Sequence, residues 1–369
     1  MMLLALRNLV AEKTRFAFSA AGIGFAVFLI TILLGLYQGW NQKVGGFVEK
    51  VQGDAWVARE GTTDFINAAS ILPASLGDSL RSNPDIEGVY PLIVRPMSFR
   101  KDGHKVDIHL IGYEPATGVG GPLHIIEGRG DPQGDEIVVD QVLARVSGVK
   151  VGDTLTSGES EVKVIGIASG GNFAFTQAGF MNIEGARALL EMQGLSTFFV
   201  VKMRAGTDIP AWQHEISSTQ PGVVAFTSSQ FASATRHRIL DQVIPIIGLI
   251  VGLAFIVGIA ITSLTIYTAT VERTREFGVM KAIGFNNIDL YKLVLSQSLL
   301  TGMLGFVFGA LATLLVSMFI DRIVAQFIVL VRPFDIGFVL IATLLMAFGA
   351  AIVPARRVAG VDPAVAFKG

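Results

Sequence analysis

The sequence predicts an integral membrane α-helical chain, with four transmembrane helices arranged one plus three and a large extracytoplasmic α+β domain inserted between helices 1 and 2. Three observations predict it. Hydrophobic residues make up 51% of the 369 residues and charged residues only 16%, against roughly 25% charged in a soluble domain. Four long runs carry no charge at all. Between the first and second of these the texture changes to short alternating segments punctuated by Gly, Pro and Asp, the pattern of a folded domain.

Residues 1–15 read as a cytoplasmic segment. The first span, 16–37, is uncharged from Phe16 to Tyr37 and at 1.5 Å per residue reaches roughly 33 Å, enough to cross a bilayer. It is too long for the apolar core of a cleaved signal peptide, although Lys13 and Arg15 precede it. The inserted domain covers 38–238. Its expected strands are Asp54–Ala58, Val89–Phe99, Lys105–Ile111, Glu136–Val139, Glu161–Ala168, Phe198–Met203 and Val223–Phe226. Helices are expected over Ala74–Arg81, Gln141–Ser147, Glu184–Met192 and Pro210–Thr219, with Asp208 as an N-terminal signal for the last. About 200 residues suit one domain or a core with an inserted lobe, and the Gly-rich loops Thr117–Pro122 and Gly170–Asn172 are the expected junctions. The remaining spans are 243–267, 293–320 and 336–353, joined by a loop over 270–292 and a short external loop over 321–335. A tail follows over 354–369.

Lys and Arg in the short flanks set the expected orientation. Arg7, Lys13, Arg15, Arg273, Arg275, Lys281, Lys292, Arg356, Arg357 and Lys368 fall on one side, and only Arg322 and Arg332 lie in the short loop opposite. Both termini are therefore expected in the cytoplasm of a multi-pass protein of the bacterial plasma membrane. The inserted domain carries 17 Lys and Arg against 22 Asp and Glu, so no nucleic-acid partner is expected.

No Asp, Glu, Lys, Arg or His interrupts a span, which disfavours a proton- or ion-coupled carrier. Small residues four apart, at Gly35 and Gly39, Gly248 and Gly252, and Gly305 and Gly309, allow close helix approach. Gly248 and Gly252 are the expected dimer contact, since helix 2 also carries Gly258.

Enzyme signals are weak. With no cysteine, thiolate catalysis and Cys-ligated metals are excluded. Gly77-Asp78-Ser79-Leu80 matches an esterase tetrapeptide but sits in an expected amphipathic helix, without the downstream Asp-x-x-His that would supply a base. His104, Asp107 and His109 do not share one strand face, and no metal site is expected. Arg236, His237 and Arg238 read as a headgroup-anchoring cluster. Neither familiar phosphate-binding glycine loop occurs, so ATP, if used, is hydrolysed by another subunit.

The loop is the most informative stretch. Glu272 lies three and four residues from Arg275 and Glu276, and Phe277, Met280 and Ile283 form an apolar stripe at spacing three, which together predict a short amphipathic helix. Gly284 is placed to end it, and Asn286 or Asn287 to cap the next, with Asp289 near that helix's N-terminal dipole. Such a helix suits either the membrane surface or a groove on a soluble partner.

Val271 to Leu300 resembles the signature of the FtsX-like, MacB-type ABC transporter permeases. The tail from Pro354 to Phe367 is similar to that family's basic, Asp-Pro-containing C-terminus. Glu136–Val139 and Val149–Leu155 resemble segments of its extracytoplasmic domain. The resemblance implies a homodimeric permease, nearer the DevC-type or HrtB-type arrangement, docking two copies of an ABC ATPase that holds ATP and Mg. It implies a coupling helix whose Glu272, Arg273, Arg275 and Glu276 make polar contacts while Phe277, Met280 and Ile283 fill the ATPase groove. Motion, rather than passage through a central pore, would carry the work of ATP hydrolysis outward. Haem, lipid or glycolipid, peptide or drug are the substrates this implies, with a periplasmic adaptor in DevC-type relatives. Phe25, Phe28, Leu29, Ile32 and Tyr37 offer an apolar wall for lateral entry. The alternative is a signalling device of the same build that regulates an extracellular enzyme, such as a cell-wall hydrolase, without transport.

Overall fold

Four helices longer than soluble cores need accompany a ten-stranded sheet in the computed structural model, which describes residues 13–66, 69–320, 324 and 328–361. The expected N-terminal segment up to residue 12 with Arg7, Arg322 in the short loop, and the tail beyond Val361 with Lys368 lie outside the described residues. The chain divides into a helical unit (residues 1–38, 243–323 and 328–369) and an inserted unit (39–242 and 324–327).

The long helices are α1 (Lys13–Val44), α7 (Ser228–Glu272), α9 (Asn287–Ser317) and α10 (Pro333–Ala359), with the short α8 (Thr274–Ala282) between α7 and α9. Each long helix is apolar enough to cross a membrane. Except at the C-terminal end of α9, which stops at Ser317 inside its run, they begin and end outside the uncharged runs, because helical hydrogen bonding continues into polar flanks until a cap stops it. Asn286 provides such a stop: its side chain accepts from the Asp289 amide at 2.9 Å, and Asp289 returns the bond to the Asn286 amide at 3.3 Å. This capping box starts α9. Gly284 precedes it at φ +104°, a left-handed conformation that favours glycine.

Glycine contacts set the crossings within the helical unit. A Cβ on Gly305 would lie 2.7 Å from the Cβ of Ile23, and one on Gly309 would meet the Gly24 carbonyl and sit 2.7 Å from the Val27 Cβ. The Gly305 and Gly309 pair therefore serves the α1–α9 contact of one chain. Gly302 packs on Ala347, and the Ser298 hydroxyl donates to the Ala347 carbonyl, fixing α9 antiparallel to α10. Such small-residue contacts let backbones approach where hydrophobic burial gives no net drive.

The inserted unit is built on one sheet, ordered β12 (Val223–Thr227), β1 (Ala55–Arg59), β11 (Phe198–Met203), β3 (Ile86–Lys101), β4 (His104–Tyr113), β9 (Ala178–Asn182), β6 (Glu136–Asp140), β8 (Ser160–Ser169), β5 (His124–Gly128), with β7 (Thr154–Ser157) pairing β3 and β8. A two-stranded ribbon joins β2 (Leu72–Pro73) to β10 (Leu195–Ser196). The sixteen-residue β3 serves two cores. Its first half pairs β11 and its second half pairs β4. One core gathers Val57, Leu76, Leu80, Phe199, Trp212 and Ile216 under α3 (Ala74–Arg81) and α6 (Ile209–Thr219). The other gathers Phe99, Ile108, Leu110, Val139, Leu143 and Met181 under α4 (Gln141–Ser147) and α5 (Ile183–Leu189). The lobes thus meet along β3 near Leu92 and Ile93. The Gly-rich loops expected as junctions instead connect β4 to β5 and β8 to β9, because a shared strand joins lobes without any linker.

Asp140 ties two parts of the second lobe. Fully buried, it caps α4 by accepting from the Val142 amide at 2.8 Å, and it also accepts from the Gly171 amide at 3.0 Å. Burial pushes its carboxyl up to about 6. A carboxyl held above its unfolded value stabilises the fold at low pH, and that contribution fades as pH rises through about 6. Thermal unfolding of the full chain, followed from pH 4 to 7.5, should therefore show the wild type losing about 2 kcal/mol of its stability margin over Asp140→Asn across that range. Parallel curves would refute this. His109 is also buried, its ring nitrogens meeting the Ile66 carbonyl at 3.0 Å and the Thr176 hydroxyl at 2.6 Å. Desolvation holds its imidazole below the ordinary range. It is a structural histidine.

Candidate functional site

The helix expected from Val271 is interrupted at Arg273, whose φ of −98° and ψ of 19° separate α7 from α8. Glu272 therefore closes α7, and Arg275 and Glu276 stand exposed on α8. Arg273 sits at the break with a guanidinium nitrogen 3.9 Å from the Glu276 carboxylate.

The apolar stripe divides between two faces. Phe277 is only 3% exposed and, with half-buried Met280, packs against Ile266, Leu290, Leu293, Val294, Ala351 and Val358 of its own chain. Ile283 is 70% exposed and lies just past the last residue of α8. Six residues along a helix turn through roughly 600°, so Phe277 and Ile283 point about 120° apart, and a three-residue spacing cannot keep both on one side. The expectation that Phe277 and Met280 face a partner's groove is thus corrected: they anchor α8 to the bundle. The outward face is Arg275, Glu276, Val279 and Ile283, with Val279 45% exposed and missed by the spacing argument.

Lys281 holds the other end of α8. Its ammonium donates to the carbonyls of Ala359 at 2.6 Å and Val361 at 3.0 Å. The last carbonyls of a helix lack intrahelical donors, and a cation there also meets the negative end of the helix dipole. The lysine in the final turn of α8 thus caps α10 instead of its own helix, and the only sequence signal for this is a basic residue in a last turn.

The remaining candidates lie on the spans. Phe25 is 62% exposed, whereas Phe28, Leu29, Ile32 and Tyr37 are half-buried. Leu29 packs on the cluster formed by Ile23, Val27 and Ile30, so the five do not form one open wall. Phe18, seven residues before Phe25 and also exposed, extends the open stripe instead. Gly248 and Gly252 have nothing within 4 Å of an added Cβ, and exposed Leu249, Leu253 and Ile256 flank them. That stretch of α7 is the least covered of the four spans.

Ser79 stands exposed on α3, and Asp107 bonds Ser98 and Lys105 at the surface. Arg236 pairs with Glu49 at 2.6 Å, and His237 bonds the Ser233 carbonyl within its own helix. Among the described residues no three His, Asp or Glu could hold a metal ion.

Comparison with known proteins finds two family models along the chain. Residues 16–219 match the MacB-like periplasmic core domain, and residues 248–363 match the FtsX-like permease C-terminal model. An uncharacterized ABC transporter permease of Mycobacterium bovis is 24% identical over 373 residues, covering 100% of both chains. The macrolide export ATP-binding/permease protein MacB of Pasteurella multocida is 24% identical over 99% of this chain and 60% of its own length. The solved periplasmic region of MacB from Actinobacillus actinomycetemcomitans aligns at 12% identity and a TM-score of 0.39, over 49% of this chain and 91% of that one.

Proposed function

Because the chain belongs to the FtsX-like, MacB-type family of ABC transporter permeases, we propose that it is the membrane subunit of an ATP-driven exporter of a hydrophobic or amphipathic substrate. In this family the permease works with an ATPase partner. The observation that carries the reading is α8: a short helix between two spans, anchored inward by Phe277 and Lys281, with Arg275, Glu276, Val279 and Ile283 left outward. A charged and apolar face on a rigidly held helix is the kind of surface that docks into a groove on a soluble partner. Two chains facing each other through Gly248 and Gly252 would present two such helices to two ATPase copies, each holding ATP and Mg. The distribution of Lys and Arg over the short flanks supports the reading that α8 and both termini lie in the cytoplasm of a bacterial cell and that residues 38–238 are extracytoplasmic, open to an adaptor.

The substrate class rests on the spans. They lack Asp, Glu, Lys, Arg and His over the uncharged runs, and exposed Phe18 and Phe25 line α1, a surface suited to an amphiphile entering from the bilayer. The Pasteurella relative is named for macrolide export, in keeping with that class. ATP hydrolysis by the chain and its ATPase in lipid nanodiscs, with haem, glycolipid, peptide or macrolide added, tests the reading. Stimulation by one of these supports export. A stable complex indifferent to all of them would favour mechanical regulation of an extracellular enzyme instead.

Glu276→Lys reverses the charge at the centre of the outward face. It should weaken ATPase co-purification about tenfold while the melting temperature stays put. Unchanged co-purification would remove Glu276 from the dock.

A further inference from the structure

A groove of about 220 Å³ opens between α9 and α10 at the end of the bundle nearest α8. On α9 it is lined by Ile288, Tyr291, Lys292 and Leu295, which recur at helical spacing along one face. On α10, Phe348, Ile352 and Ala355 line it, and Arg356 follows Ile352 by four residues on that face. The helices run antiparallel through the Ser298–Ala347 and Gly302–Ala347 contacts. Leu295 and the exposed Phe348 therefore lie toward the middle of the spans, while Lys292 and, one turn beyond Ile352, Arg356 lie toward the α8 end, one cation on each helix. Both cations are exposed, and among the described residues neither has an ion pair or hydrogen bond. Lys281, by contrast, spends its charge on the α10 carbonyls. The nearby Asp289 caps α9.

We propose that this groove is a binding site for an anionic glycerophospholipid, with one acyl chain between Leu295 and Phe348 and the phosphate between Lys292 and Arg356. A membrane-facing groove that is apolar within and cationic at its mouth matches that amphiphile in both parts, whereas a zwitterionic lipid carries its own cation and gains less from the pair. The site is separate from the outward face of α8 and does not depend on what the chain exports. Bound there, the lipid would bridge α9 and α10, the two helices against which α8 is anchored.

Native mass spectrometry of the full chain in detergent, titrated with dioleoyl phosphatidylglycerol or dioleoyl phosphatidylcholine, tests it. The wild type should retain phosphatidylglycerol with a preference of roughly tenfold or more. Lys292→Gln with Arg356→Gln should bring the two lipids to parity, and Ala355→Phe, which fills the groove, should lower retention of both. Should Ala355→Phe fail to fold, the charge variant decides alone. Equal retention by the wild type, or a preference that survives in the charge variant, would overturn the proposal. So would disulfide dimers of Ile352→Cys, in a chain with no native cysteine, since the groove would then be covered by a second copy.

Discussion

Aspartate at both Val279 and Ile283 is expected to abolish ATPase docking and leave the permease folded. Both side chains are exposed, at 45% and 70%, so the fold loses far less packing with them than with the buried Phe277. Burying an apolar side chain of this size in a partner's groove contributes about 1.5–3 kcal/mol, so losing two and burying charge in their place should weaken docking by a hundredfold or more. Phe277→Ala should do the reverse. Its ring lies in the cluster of Leu290, Leu293 and Val358, and its removal should cost about 3–5 kcal/mol of stability, while the ATPase still binds whatever chain remains folded. Thermal melting and ATPase pull-down on the two variants separate these roles. Wild-type affinity in the double aspartate variant would mean that α8 does not dock the ATPase by this face.

Gly309→Leu should prevent the bundle from closing. A Cβ there meets the carbonyl of Gly24 and lies 2.7 Å from the Val27 Cβ, and backbone cannot step aside as the end of a flexible side chain can. The helices would have to separate, losing the Gly24–Gly305 approach and the 3.5 Å bond from the Thr313 hydroxyl to the Phe28 carbonyl. A loss of at least about 3 kcal/mol, on the order of 10 °C in melting temperature, is expected. Gly248→Leu is the contrast. With nothing within 4 Å, it should leave the single chain's melting unchanged and act only on association, read by cross-linking. If Gly309→Leu melts like the wild type, α1 and α9 do not cross through these glycines.

Much of the inserted unit is legible from local pattern. Helices Ala74–Arg81 and Gln141–Ser147 and strand Phe198–Met203 have the same bounds in the structure as in the sequence reading, because amphipathic spacing and caps are local signals. Asp208 accepts from the Ala211 amide at 3.2 Å, as an N-cap should. Five strands, β2, β5, β7, β9 and β10, escape the pattern, two of them for opposite reasons. β9 is buried on both faces except at its last residue, and β5 is exposed throughout at the sheet's edge, so neither alternates.

What the sequence alone determines is therefore the kind of element at each place: four apolar spans from run length, a capped helix between two of them, and an α+β insert from its alternation and punctuation. These depend on residues within a turn or two of one another. What only the tertiary structure decides is sidedness. Which face of α8 turns inward, which glycine pairs serve the chain's own crossings and which stay open, and that Lys281 caps a helix nearly eighty residues away all depend on the neighbour that packing supplies. A helical period states that faces exist, and contact with α9 and α10 selects which one is left for a partner.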